Sequence, residues 1–133
     1  MNYARWYHTA SVLSNGKVLV TGGINSYSTL NNAELFDPLT GIWTQTGNMT
    51  ISRSQHTATV LTNGKVLVIG ADRNGADLLN KSEIYDPSTG MWTSFSNLAN
   101  RTFWRVEAVL SNGQLLIVDV YYKMQLYNPS TDS

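Results

Sequence analysis

Three stretches of this 133-residue chain are near-copies of one another. Residues 5 to 23 read RWYHTASVLSNGKVLVTGG, residues 53 to 71 read RSQHTATVLTNGKVLVIGA, and residues 101 to 120 read RTFWRVEAVLSNGQLLIVDV. Arg5, Arg53 and Arg101 follow one another at 48 residues, and Trp43 and Trp92 lie 49 apart. The later halves match as well: AELFDPLTGIWTQTG at 33 to 47, SEIYDPSTGMWTSFS at 82 to 96, and QLYNPSTDS at 125 to 133. A chain with such a period folds as repeated supersecondary units, each too small to bury its apolar faces alone. The period divides one continuous run into units of about 1–48, 49–97 and a shorter 98–133.

Each full unit reads as four strands. His8 to Leu13 and Lys17 to Thr21 are rich in β-branched and apolar residues, and Ser14-Asn15-Gly16 joins them. Asn-Gly at such a junction predicts a tight hairpin with positive φ angles. Ala33 to Phe36 and Ile42 to Gln45 flank Asp37-Pro38-Leu39-Thr40-Gly41, a turn sequence in which Asp bonds back to the chain, Pro presets φ and Gly closes the loop. With no helical periodicity, the expected class is all-β, an antiparallel meander of strands A to D. Neighbouring copies must then stack face to face, as blades around an axis do, which assigns Trp43 and Trp92 to packing between them.

The apolar strand ending in Gly22-Gly23, with Gly70 in the second copy, the aromatic-Asp pairs Phe36-Asp37 and Tyr85-Asp86, and the tryptophan a few residues later resemble the kelch repeats of β-propellers. The resemblance implies a kelch-type β-propeller fragment with four-stranded antiparallel blades, two complete and a third lacking its last strand. The pattern fades along the chain. Ala71 replaces Gly23, Val118-Asp119 replaces the glycine pair, and 42 residues separate Asp86 from Asn128 where 49 separate Asp37 from Asp86. Because propellers close with about four to eight blades, the expected partners include further blades in a longer chain, ahead of a ring built from several copies.

Charge and cysteine usage remove several functions. Nine Lys and Arg against nine Asp and Glu leave no net field to concentrate nucleic acid or an anionic membrane surface, so neither is expected as a partner. No apolar stretch is long enough to cross a bilayer. The absence of cysteine removes disulfides, thiolate metal sites and a cysteine nucleophile, and leaves the compartment open. Asn48, Asn80 and Asn100 begin N-x-S/T triplets, as chance produces in a chain rich in Asn, Ser and Thr.

In a meander the A–B and C–D turns share one face, and the B–C and D–A connections share the other. The first carries nearly identical turns in each copy, as folding-determined turns should be. The second carries INSYSTLNN at 24 to 32 and ADRNGADLLNK at 71 to 81, which are polar and unlike each other. Variable loops on a rigid frame are where binding sits. Tyr27, Asn31, Arg73, Asn74 and Asp77 are the candidate contact residues, an aromatic, a guanidinium, two amides and a carboxylate suited to polar partners.

Residues that recur with the period read instead as structural. Arg5, Arg53 and Arg101 are expected to do one repeated structural job, such as bonding carbonyls of neighbouring blades, rather than to form a functional arginine ring near the central opening. His8 and His56, with Trp104 in the third place, read as packing rather than as metal ligands. Glu34 and Glu83, with Gln125 in the third place, read as repeat residues rather than a catalytic carboxylate pair. No metal site and no cofactor are expected. The resulting expectation is a non-catalytic scaffold for protein or ligand binding through the B–C and D–A loops, with a protein as partner. The alternative is a set of blades from a larger propeller enzyme resembling copper-radical, galactose-oxidase-like oxidases. Their cofactor joins a tyrosine to a cysteine, so its active site would lie outside this segment.

Overall fold

The computed structural model describes residues 1–70, 81–95, 105–119 and 124–128. Strands β1 (Thr9–Val12), β2 (Val18–Thr21), β3 (Ala33–Asp37) and β4 (Ile42–Gln45) form one sheet in chain order. Strands β5 (Thr57–Val60), β6 (Val66–Ile69), β7 (Ser82–Asp86) and β8 (Met91–Phe95) form a second. In the third, β10 (Leu115–Asp119) lies between β9 (Arg105–Val109) and β11 (Met124–Tyr127). Every pairing is antiparallel. The described residues contain no helix, and their third sheet has three strands. This is the all-β, kelch-type arrangement of four-stranded blades with a third, three-stranded one.

The copies share register as well as strands. Val20 faces Glu34 and Phe36 faces Trp43 in the first blade, while Val68 faces Glu83 and Tyr85 faces Trp92 in the second. The A–B hairpin differs from the expectation in one respect. Only Gly16 has positive φ, at 82°, and Asn15 does not. The loop is a three-residue Ser14-Asn15-Gly16 connection closed by the Leu13 amide on the Lys17 carbonyl at 2.8 Å. Asn15 serves through its side chain, its Oδ1 accepting the Lys17 amide at 3.0 Å, and Asn63 and Asn112 do the same for Lys65 and Gln114. A three-residue loop ending in a left-handed glycine sets the register as firmly as a two-residue one.

Stacking explains the uninterrupted apolar run Val66–Ile69. Alternate residues of a strand point to opposite faces, and in the middle blade both faces are covered. Val66 packs with Leu13, Leu19 and Ala33 of the first blade, whereas Leu67 and Ile69 pack with Leu115, Ile117 and Tyr127 of the third. All four residues from Val66 to Ile69 are 0% exposed. Full burial of side chains of this kind contributes about 1.5–3 kcal/mol each.

Polar contacts stitch the first two blades at the rim. The Trp92 indole N–H donates to the Gly47 carbonyl at 2.8 Å, the Gly47 amide donates to Gly90 at 3.1 Å, and the Thr46 and Tyr85 hydroxyls meet at 2.7 Å. Trp92 is therefore an inter-blade residue, tilted against Tyr85 at 5.1 Å. Trp43 rests on Phe36 of its own sheet at 4.9 Å, on the face turned away from the second blade. Thr57 and Thr59 hydroxyls join the second blade to Glu107 of the third.

Candidate functional site

The face bearing the B–C and D–A connections is built on a buried ion pair in each full blade. Arg5 Nη2 lies 3.0 Å from Glu34 Oε2, and Arg53 Nη2 lies 3.1 Å from Glu83 Oε1, with all four side chains fully buried. Each guanidinium also closes the top of its own blade. Arg5 Nη1 donates to the Gly22 and Asn32 carbonyls at 2.8 and 3.1 Å, and Arg53 Nη1 donates to Gly70 and Lys81 at 2.6 and 2.8 Å. The expected role in hydrogen-bonding neighbouring blades is thus corrected. The carbonyls reached lie within one blade, because the extended segment before strand A runs across the ends of strands B and C. Burial pushes both guanidinium pKa values down, and the paired glutamate opposes that shift.

Each glutamate has a second task. Glu83 accepts the Thr50 and Ile51 amides at 2.7 and 3.1 Å, and Glu34 accepts those of Asn2 and Tyr3 at 2.6 and 3.4 Å. Together Arg and Glu fix the D–A segment over the strand ends. Glu34 and Glu83 are thus repeat residues whose partners are the recurring arginines. The signal was available, since 29 residues separate Arg5 from Glu34 and 30 separate Arg53 from Glu83.

The B–C loop of the first blade is held from both sides. Trp6 and Ile24 exchange main-chain hydrogen bonds at 3.0 and 2.8 Å, tying the loop to the segment before β1. On its other side Gly23 donates to the Arg53 carbonyl at 2.7 Å, and Arg53 and Met49 amides donate to Leu30 and Asn31 at 3.0 and 2.9 Å. Asn31 Nδ2 adds a bond to the Met49 carbonyl at 3.0 Å, so this candidate shapes the loop. Tyr27 stands at the tip, 94% exposed. Arg73, Asn74 and Asp77, and the recurring Arg101 and Trp104, lie outside the described residues.

Three further aromatics share this face. Tyr3, Trp6 and Tyr7 are exposed, and with Tyr27 they are the exposed aromatic side chains among the described residues. Reasoning from the repeat passed over Tyr3, Trp6 and Tyr7. Their signal was non-recurrence: the second copy has Ile51, Ser54 and Gln55 at those positions, so no repeated structural job requires an aromatic there.

His56 is the buried histidine and His8 is exposed, so the packing role holds for one of the two. His56 Nε2 lies 2.9 and 3.1 Å from the Thr9 and Thr21 hydroxyls of the first blade. Burial, with Arg53 and then His8 adding to it, pushes its pKa down to about 3. An unfolded histidine binds its proton near pH 6.5, so between about 6.5 and 3 the unfolded chain holds more protons and stability falls as pH falls. Urea unfolding from pH 6.5 to 4.5, above the range where Asp86, held down to about 2 by Ser88 and Lys65, titrates, is expected to lose up to about 1.4 kcal/mol per pH unit. His56→Gln is expected to flatten that slope, and an unchanged slope would locate the proton elsewhere.

Among the described residues no group of three or more His, Cys, Asp or Glu is arranged to hold a metal ion. No curated protein matches the chain. Residues 5–50, the first blade with its leading arginine, match the family model described as the Kelch motif. The second blade repeats that motif in register, so the first two blades are similar to kelch repeats.

Proposed function

We propose that the chain is a non-catalytic binding scaffold whose contact surface is the face formed by its B–C and D–A loops. Kelch repeats in general mediate protein–protein interaction. The observation that carries the finer reading is the first blade's loop pair: two segments locked by main-chain bonds that hold Tyr27, Trp6 and Tyr3 out in solvent. Exposed aromatics on a preorganised frame lose little conformational entropy on binding and supply large contact areas. The opposite face offers hairpins with Asx turns and the Lys17–Asp37 and Lys65–Asp86 pairs, at 3.5 and 3.0 Å, which serve the fold.

We also assign contacts to Arg73, Asn74 and Asp77, which the repeat puts in the second B–C connection. Affinity capture with wild type, Tyr27→Ala and an Arg73→Ala/Asn74→Ala/Asp77→Ala variant tests this. Partners recovered by wild type are expected to be lost about tenfold or more from the loop variants, while Leu39→Ala on the opposite face leaves recovery unchanged. Recovery that depends on Leu39 and not on the loops would reverse the assignment of faces.

A further inference from the structure

Asn2, Tyr3 and Trp6 from the segment before β1, with Asn25, Ser26 and Tyr27 from the β2–β3 loop, line an open cleft of about 260 Å³. Its walls are fixed. Glu34 holds the Asn2 and Tyr3 amides, the Tyr3 hydroxyl accepts Gln45 Nε2 at 2.8 Å, and Asn25 Oδ1 accepts the Tyr27 and Ser28 amides at 2.9 and 2.8 Å. The last two bonds leave the Asn25 Nδ2 group as a donor on a rigid turn.

The lining contains no charged side chain. The charges beneath it, Arg5 and Glu34, are fully buried and spent on each other. A charged ligand would find no counter-charge here. A wholly apolar one would strip water from Asn2, Asn25 and Ser26 without replacing it, at a cost. A peptide adding as a β-strand needs an open strand edge for its main-chain groups, and the Trp6–Ile24 and Ile24–Thr29 bridges occupy that position. What fits is an uncharged molecule with an apolar flat face and a hydroxylated rim. Polarised C–H groups of such a face meet the negative ring faces of Trp and Tyr, and amides pair with adjacent hydroxyls.

We propose that this cleft is a saccharide subsite, taking a ring of an uncharged glycan against Trp6 and Tyr27 with Asn2, Asn25 and Ser26 on its hydroxyls. It rests on reading this face as the binding face and names the ligand class.

The test titrates the full chain with cellotriose, mannotriose, galactobiose and chitotriose, following tryptophan fluorescence and amide chemical shifts. Trigalacturonate and the capped peptide Ac-Asn-Gly-Ser-Tyr-amide serve as the anionic and peptide probes. At least one neutral saccharide is expected to bind with a dissociation constant on the order of 0.1–1 mM. Trp6→Ala and Tyr27→Ala are expected to weaken it about tenfold, and Leu39→Ala to leave it unchanged. Trp6→Leu, which keeps apolar bulk without the aromatic face, gives the same loss should Trp6→Ala fail to fold. Absence of binding by all four neutral saccharides at millimolar concentration overturns the saccharide assignment. So does binding indifferent to Trp6 and Tyr27. Peptide binding lost in both variants also overturns it, while leaving the face assignment standing.

Discussion

Arg53→Ala is expected to destabilise the protein by about 3–5 kcal/mol, the cost of leaving one member of a buried pair uncompensated. A domain of this kind has about 5–15 kcal/mol in all. The substitution strands the Glu83 carboxylate at 0% exposure and removes the donors to the Gly70 and Lys81 carbonyls. The D–A segment keeps only its Glu83 anchor, the bonds from the Thr50 and Ile51 amides. Replacing both members, in Arg53→Met/Glu83→Leu, is expected to cost less than Arg53→Ala alone, since the two desolvation penalties vanish together. By contrast, Lys65→Ala breaks the 3.0 Å pair with Asp86, whose partners are 43% and 28% exposed, and should cost under about 1 kcal/mol. Urea midpoints of the three variants give the comparison. Equal losses from Arg53→Ala and Lys65→Ala would contradict the buried pair as the brace of the blade.

Gly22→Ala carries the second large effect, and Gly16→Ala isolates its cause. Both glycines have positive φ, 59° at Gly22 and 82° at Gly16. An alanine in that region costs about 1–2 kcal/mol whatever surrounds it. Around Gly16 a new Cβ meets nothing within 4 Å, so the backbone term stands alone. At Gly22 the same Cβ drives into the Arg53 carbonyl oxygen and comes 2.8 Å from His56 Cε1, both belonging to the second blade. The blades must separate to admit it, disturbing the Gly23–Arg53 bond and the His56 contacts with Thr9 and Thr21. The expected order is Gly16→Ala near 1–2 kcal/mol and Gly22→Ala at least about 2 kcal/mol beyond that. Similar midpoints for the two would mean that Gly22 is not pressed against the second blade.

These two effects mark where the sequence was readable and where it was not. The strands could be placed within a residue or so because β-branched runs, turn residues and the period reinforce one another: Ile42–Gln45 is the span expected, and Ala33–Asp37 extends the expected strand by Asp37 alone. Trp92 was readable for the same reason, as an aromatic recurring once per unit. Partner choice was not readable. Arg53 and Glu83 each recur, but periodicity says only that a job repeats, not that the two jobs are one, and an arginine above strand ends can reach carbonyls on either side. The geometry of the Asn-Gly hairpin was hidden because Asn can enter a turn through its backbone or through its side chain, and a single extra loop residue selects the latter. On the binding face the period worked in reverse. It exposed Tyr27 because the two B–C loops differ in length and composition, but Trp6 lies one residue after the recurring Arg5 and was masked by it.

Stacking of the first two blades underlies both the fold and the rigidity of the loop face, and residue-resolved hydrogen exchange of the native protein examines it. The Gly23 and Gly47 amides and the Trp92 indole N–H have partners across the two blades, whereas the Leu67 amide lies in the central strand β6 of a single sheet. If the blades are packed as described, the three inter-blade hydrogens exchange as slowly as Leu67, within about tenfold, because opening them requires opening the core. Exchange of Gly23, Gly47 and the Trp92 indole at the rate of the exposed Leu39 amide, with Leu67 still protected, would show independent sheets and contradict the stacked architecture.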